Sequence, residues 1–388
     1  MIAFKLPSLG SDMEQGKLLE WKVKPGDPVK RGDIVAIVDT SKAAVDVEIW
    51  SDGTVSELLV KPGETVPVGT VLATLFAPGE TRETAVPVAP EAAPQAKVAA
   101  MPAALPAAPG VPAKPGISMR RRISPAARRR AEELGVGLDA VTGTGPDLAV
   151  TLEDVERAAA AKLAPPDRAA EMRRAIAAAM SRSKREIPHY YLADNIPLER
   201  ATAWLAGENA QRAVPERLLM AVLYLKAVAL ACVKFPEMNG FYLDGGFAPS
   251  AAVHVGVAIS LRKGGLVAPA LHDVEKKTLN QLMRDLSDLV QRARAGSMRS
   301  SEMTDPTITV TNLGDAGVEA VFGVIYPPQV ALVGFGRVVE RAWAEHGTLR
   351  AVPMVTASLA ADHRVSDGHR GALFVSAIRE LLQQPQQL

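Results

Sequence analysis

A stretch of 39 residues, Pro78 to Gly116, holds 12 alanines, 9 prolines and no aromatic side chain. Such a composition buries too little apolar surface to offset the entropy of ordering, so it is expected to be a flexible linker. Its prolines bias it toward polyproline II, which at about 3.1 Å per residue reaches on the order of 100 Å. Any fold has to be assembled from the pieces on either side. A shorter bridge is expected at 159–168, where Pro165-Pro166 separates two helical patterns. Three folded pieces remain: 1–77, 117–158 and 169–388. Of the 17 aromatic residues, 13 follow position 189, so the largest core is expected in the last piece.

Charge excludes some functions. Lysine plus arginine number 44 against 43 aspartates and glutamates, which argues against a nucleic-acid or membrane-surface protein. The lone Cys232 cannot form an internal disulfide, no Cys/His cluster has zinc spacing, and an inert buried thiol is expected. Leu218–Val233 is strongly apolar but interrupted by Lys226, and reads as a buried helix rather than a membrane span. Met1-Ile-Ala-Phe-Lys-Leu-Pro7 reads as the start of a strand rather than a signal peptide, so a cytoplasmic protein is expected.

The first piece carries an internal repeat. Lys24-Pro-Gly-Asp-Pro-Val-Lys-Arg-Gly-Asp-Ile-Val-Ala36 returns at an offset of 37 as Lys61-Pro-Gly-Glu-Thr-Val-Pro-Val-Gly-Thr-Val-Leu-Ala73. Each copy sets Pro-Gly turn chemistry before short β-branched strands, which predicts a quasi-symmetric all-β sandwich. Midway between the copies, strand-like runs flank Asp39-Thr-Ser-Lys-Ala43 and put Lys42 at an expected hairpin tip. A lone lysine in a turn is ordinarily just solvated. With Leu6-Pro-Ser-Leu-Gly10, Met13, Gly16 and Trp21, however, residues 1–77 resemble a lipoyl domain, and the resemblance implies lipoate attached to Lys42. The family usually has Asp-Lys-Ala at the tip, whereas this chain has Ser41-Lys42-Ala43. Biotinyl domains share the fold but bracket their lysine with methionines, and none stands beside Lys42.

The second piece reads as two helices. Ser124-Pro-Ala-Ala supplies an N-cap and a proline at the first helical position, and Thr151-Leu-Glu-Asp starts a second helix with an acidic first turn. Six arginines and no acid lie between Arg120 and Arg130, ordinarily a solvated face. The piece resembles the α-helical peripheral subunit-binding domain of 2-oxo acid dehydrogenase complexes. That implies docking of the decarboxylase (dehydrogenase) component or of dihydrolipoamide dehydrogenase, with Arg128 and Arg129 facing an acidic partner. After Gly143-Thr-Gly-Pro146 the family usually continues Gly-Gly-Arg-Ile; here Asp147-Leu-Ala-Val150 follows, and Ala149 replaces a docking arginine.

The third piece alternates strands and helices, an α/β pattern. Val253, Val255, Val257, Ile259 and Leu261 alternate as one strand, and Leu279 to Ala293 follow a helical period stopped by Gly296. Further strands are expected at 307–314, 330–339 and 352–359, the last weakened at its start by Pro353. Gly334-Phe-Gly336 lacks a third glycine and precedes strand, which excludes a dinucleotide loop.

Beyond that strand, Ala361-Asp-His-Arg-Val-Ser-Asp-Gly368 places His363 and Asp367 four residues apart. Spacing alone would suit a structural pair. Asp-His-Arg-x-x-Asp-Gly is nevertheless the motif of the dihydrolipoyl acyltransferases, whose catalytic domain is related to chloramphenicol acetyltransferase. The likeness continues through Arg174, Ile187-Pro-His-Tyr-Tyr191, Val255-Gly-Val-Ala258, Gly265-Leu-Val-Ala-Pro269, Ala293-Arg-Ala-Gly296, Thr311-Asn-Leu-Gly314 and Pro327-Pro-Gln329. It implies exchange of an acyl group, most commonly acetyl, between lipoyl-lysine and coenzyme A, within trimers that build a large hollow core. A thiol is mostly protonated at neutral pH and histidine can take its proton, so the resemblance makes His363 the general base. It makes Thr311 the hydroxyl that donates to the tetrahedral oxyanion and Asp367 an orienting residue. His189, beside two tyrosines, reads as a packed structural histidine.

Two other classes compete. A non-catalytic scaffold subunit should lack the histidine, and a stand-alone acyltransferase acting on a small molecule would have no use for Lys42 or the linker. Branched-chain or acetoin-derived acyl groups stay open, because discrimination among small acyl groups rests on contacts of about 1–3 kcal/mol per methylene.

Overall fold

The computed structural model describes residues 1–7, 9, 13, 15–40, 44–77, 123–146, 149–163, 168–261, 265–314, 317–345 and 347–388. The N-terminal β domain and the C-terminal α/β domain belong to one unit, and the intervening helical domain forms a second.

In the N-terminal domain the repeat is visible as a pseudo-twofold. Gly26 and Gly63, 37 residues apart, take φ of 98° and 94°, a region closed to most side chains. Their amides reach across reciprocally: Gly26 N–H donates to Val55 O (2.8 Å), and Gly63 N–H donates to Leu18 O (2.7 Å), with Leu18 and Val55 again 37 apart. One sheet runs in the order Ile2–Lys5, Val71–Phe76, Gly53–Leu58, Pro28–Val29. The other runs Ala44–Glu48, Ile34–Asp39, Gln15–Trp21, Thr65–Pro67. Alternate side chains of both sheets, among them Phe4, Leu18, Val38, Val47, Leu72 and Leu75, close a separate apolar core.

The helical domain consists of Pro125–Leu134 and Leu152–Leu163 around Ala127, Ala131, Val141, Val150 and Val155. Ser124 caps the first helix by accepting from Ala127 N (3.1 Å), and Gly135 ends it in the left-handed region. So small a core leaves much to polar contacts. Asp154, buried, accepts from Thr144 N (2.9 Å), Thr144 Oγ1 (2.7 Å) and Thr151 N (2.9 Å), tying the Gly-Thr-Gly turn to the second helix. The amide of Thr151, then the amide and the hydroxyl of Thr144, hold this carboxyl far below the usual carboxylate range.

The C-terminal domain is a mixed sheet under helices. Its strands run in the order Ala270–Leu271, Val255–Val257, Ile308–Asn312, Ala331–Phe335, Thr348–Asp362. Thr348–Asp362 is 15 residues long and pairs antiparallel with two more strands, Val339–Glu345 near its start and His189–Pro197 toward its end. Helix Met220–Lys234 is buried nearly all round, with Cys232 inside; burial pushes its thiol pKa up. Lys226 is buried too, its ammonium donating to the carbonyls of Val274, Glu275 and Lys277 (3.3, 2.8 and 2.7 Å). Leu279–Ala295 is closed at its start by a Thr278/Gln281 capping box and at its end by Gly296. Among the described residues no helix is long and apolar enough to cross a membrane.

Three strand expectations change. The alternation from Val253 to Leu261 is divided between Val255–Val257 in the main sheet and Ile259–Ser260, which pairs with Leu266–Val267. The run 330–339 breaks at Gly336, so Val339 opens a new strand. Pro353 does not weaken a strand start but lies inside the longest strand, opposite Glu340, its carbonyl accepting from Leu198 N (2.8 Å). The helix begun at Leu152 runs to Leu163, into the region expected to be a bridge.

Candidate functional site

The long strand ends at Asp362, and His363 follows it into solvent. What holds the imidazole there is local. Its backbone N–H donates to Pro188 O (3.0 Å), and its ring meets the ring of Tyr190 edge-on at 5.3 Å. Tyr190 is tied in turn by its hydroxyl to Ser366 Oγ (2.8 Å). Neither imidazole nitrogen is hydrogen-bonded to a described residue, so both remain available to a ligand. Asp362 is 0% exposed, and its carboxylate is met by Arg364 through Nε (3.0 Å) and Nη2 (2.6 Å). The Arg364 guanidinium also lies 3.8 Å over the Tyr242 ring. This acid–arginine clamp around His363 was not singled out from the sequence, although a charged pair flanking a histidine at the end of an apolar strand is its signal: a buried acid requires a partner.

Asp367 is exposed and accepts from Arg370 N (2.9 Å) as the N-cap of helix Gly368–Leu382. That amide hydrogen bond lowers its pKa. The carboxylate therefore fixes the start of the helix after the His363 loop and makes no hydrogen bond to the imidazole. His189 is committed elsewhere: Nδ1 lies 2.9 Å from Ile187 O, and Nε2 accepts from Ile325 N (3.1 Å). Desolvation lowers its pKa, in keeping with a neutral ring that donates from Nδ1.

Thr311 lies near the end of Ile308–Asn312, half-buried, its hydroxyl without a hydrogen bond to a described residue. It does not meet His363 within one chain. Thr311 pairs with Gly334 and Gly334 with Ser358, while Ala361 pairs with Ala331 at the other end of the same strand. From Ser358 to His363 is five residues, roughly 16 Å along the sheet, before the two strand spacings across it are added. Two groups so far apart cannot act on one carbon atom.

Lys42 lies outside the described residues, but the strands flanking it do not. Asp39 pairs with Ala44 across Ile34–Asp39 and Ala44–Glu48, so residues 40–43 make the whole connection. The primary amine of a lysine can form an amide with a carboxylic acid such as lipoate. Arg128 and Arg129 are exposed on the first helix of the helical domain and make no ion pair with a described residue, whereas neighbouring Arg130 pairs with Glu133 (2.8 Å) and Glu156 (3.4 Å). Among the described residues no His, Cys, Asp and Glu cluster could hold a metal ion.

An α/β domain with an exposed histidine at a strand end, in one chain with a β-sandwich of two related halves, fits an acyltransferase of carrier-bound groups, and comparison with known proteins shows that class. The catalytic-domain family of 2-oxoacid dehydrogenase acyltransferases matches residues 167–388, the family of biotin-requiring enzymes matches 2–75, and the e3 binding domain matches 121–156. The acetyltransferase component of the pyruvate dehydrogenase complex of Rhizobium meliloti is 32% identical, over 99% of this chain and 98% of its own length. The acetyltransferase component of the acetoin cleaving system of Bacillus subtilis is also 32% identical, over 98% and 97%. Among solved structures, a probable dihydrolipoamide acetyltransferase from Listeria monocytogenes is 27% identical with a TM-score of 0.52, over 55% of this chain and 91% of its own. The chain belongs to the 2-oxoacid dehydrogenase acyltransferases. It carries a dihydrolipoyllysine-residue acyltransferase catalytic domain behind a lipoyl sandwich and a small helical binding domain.

Proposed function

We propose that this chain moves an acetyl group between a lipoyl group on Lys42 and coenzyme A, with His363 of one subunit and Thr311 of a neighbouring subunit forming each site. The observation that carries the reading is the separation of those two side chains within a chain, each free of other hydrogen bonds among the described residues. A lipoyl group on Lys42 would supply a thiol for the exchange. His363 takes the proton of the coenzyme A thiol, whose sulfur attacks the thioester carbonyl carbon, and returns that proton to the sulfur that leaves as the original C–S bond breaks. The Thr311 hydroxyl donates to the oxygen that becomes negative as the carbonyl carbon turns tetrahedral. Asp362, Arg364 and Tyr190 keep the imidazole aimed, and Asp367 anchors the helix behind it.

Self-association into trimers and a larger core is supported by apolar side chains left exposed on the C-terminal domain, among them Leu313, Val318, Phe322 and Val338. Arg128 and Arg129 are proposed to dock a decarboxylase component or dihydrolipoamide dehydrogenase by charge. Acetyl is favoured because relatives from two different complexes share that acyl group at 32% identity. The test is steady-state transfer to dihydrolipoamide from acetyl-, propionyl-, isobutyryl- and succinyl-coenzyme A. The highest kcat/KM is expected for acetyl, and a higher value for any other overturns the assignment.

A further inference from the structure

The strand Ala44–Glu48, which begins two residues after Lys42, has a neighbour from the other end of the chain. Ser297, Met298 and Arg299 of the C-terminal domain pair with Ala44, Val45 and Asp46 in parallel register. The short strand becomes the outer member of the N-terminal domain's second sheet. Just beyond the paired residues the contact turns to side chains. Glu48 N–H donates to Ser300 Oγ (3.0 Å), and the Glu48 carboxylate accepts from Ser301 N (3.3 Å) and from the Ser301 hydroxyl.

The C-terminal domain holds this strand in shape by itself. Met298 is buried in the α/β core, and Gly296 closes the preceding helix. Arg299 N–H donates to Glu302 Oε2 (2.9 Å), and Glu302, buried, is gripped by both terminal nitrogens of Arg292 (2.6 and 2.5 Å). An edge strand fixed in this way is a preformed template for another strand. The charges agree as well, since Arg299 stands opposite Asp46.

We propose that the strand Ser297–Arg299, with Ser300 and Ser301 at the start of the helix after it, recognises the acyl-carrying domain, which adds Ala44–Asp46 to the strand and is read at Glu48 by the two serines. The proposal rests on the carrier reading of Lys42 and says how the catalytic domain selects its own carrier. Backbone pairing supplies a register, and Glu48 supplies an identity that a carrier lacking the carboxylate would not have. Three paired residues and one carboxylate make a small interface, as an arm that must leave again requires. The linker keeps the local concentration high enough for so weak a contact to form.

The experiment uses the full-length lipoylated chain, with a lipoyl adduct on Lys42 verified by intact mass for the parent and every variant. Acetyl transfer from acetyl-coenzyme A is followed to free dihydrolipoamide and, in a single turnover, to the chain's own reduced lipoyl group. Glu48→Lys and Ser301→Ala are expected to slow transfer to the chain's own arm on the order of tenfold, the effect of losing a charge-assisted hydrogen bond. Transfer to free dihydrolipoamide should stay within about twofold, because a small acceptor needs no docking. Hydrogen exchange at 44–48 and at 297–301 should rise together in Glu48→Lys, and the double variant Glu48→Lys/Ser301→Asp should restore protection and arm transfer. Unchanged transfer to the arm, or equal loss with both acceptors, overturns the docking strand. Absence of an adduct on Lys42 in the parent overturns instead the carrier reading beneath it.

Discussion

At the level of single residues, Asp362 has no exposure to water and its charge is met by Arg364, two positions on. Removing the guanidinium in Arg364→Ala leaves a buried carboxylate without its cation. The loss should be about 3 kcal/mol, the low end for breaking a buried pair, because Arg364 itself stays partly in water. Chemical denaturation of the protein would measure it, and the loop that carries His363 should lose order with it. Truncation of the imidazole in His363→Ala should lower kcat by roughly 10²–10⁴-fold with folding intact, the usual range for a positioned acid–base group. Thr311→Val removes the donor and should cost about 10²-fold, whereas Thr311→Ser keeps it and should be mild. Equal rates for the valine and serine variants would exclude an oxyanion role. Lys42, His363 and Thr311 were legible in the sequence as candidates, through stretches that resemble family motifs. Their geometry was not, because a motif specifies neighbours along the chain, and Asp362–Arg364 became visible only once the strand end was known to be buried.

Elements differ in how openly their causes are written. The helix Leu279–Ala295 agrees with its sequence pattern at both ends, since a capping box and a left-handed glycine are local chemistry. The strands agree less well. The alternation from 253 to 261 is satisfied by two short strands in two sheets, and what divides it is tertiary: Ala258 N–H donates to Val310 O (3.0 Å), whereas Ile259 pairs with Val267. Pro353 is tolerated in a long strand because its missing N–H faces the side where the neighbouring strand has just ended at Pro197, and its carbonyl on that side accepts from the amide of Leu198. In the helical domain one carboxylate supplements a small apolar core. The Asp154 pKa is depressed in the folded state, so its contribution is present above the unfolded carboxylate value near 3.9 and is lost as pH falls through the folded value. Amide exchange around Thr144 and Thr151, taken relative to the intrinsic rate at each pH, should therefore accelerate as the pH is taken progressively below about 4. In Asp154→Asn it should be fast already at neutral pH, with a weaker acid dependence. Exchange in that variant indistinguishable from the parent at pH 7 would show that the turn is held by something else.

At the scale of the whole molecule, the proposed roles of His363 and Thr311 in one reaction require a second chain, because sheet topology keeps them apart within one. His363 and Thr311 stand at opposite ends of paired strands, and no side-chain rotation closes a gap of roughly 16 Å. A closed ring of identical subunits brings the histidine end of one sheet to the threonine end of the next, and the contact is then heterologous, repeated around the ring. This arrangement makes a specific demand on mixed particles. In His363→Ala every site lacks its base, and in Thr311→Val every site lacks its donor, so each variant alone should be nearly inactive. When the two are co-expressed and assemble at random in equal amounts, a site receives its histidine from one chain and its threonine from the next. About one site in four should then draw both intact groups, and the mixture should recover about a quarter of parent activity. Mixing the purified, already assembled variants without exchange of subunits should recover none of it. If co-expressed particles show only the average of the two inactive parents, while mass measurement confirms that they contain both chains, each site is built within a single subunit. The strand register would then have to change by several residues on assembly to bring the two side chains together.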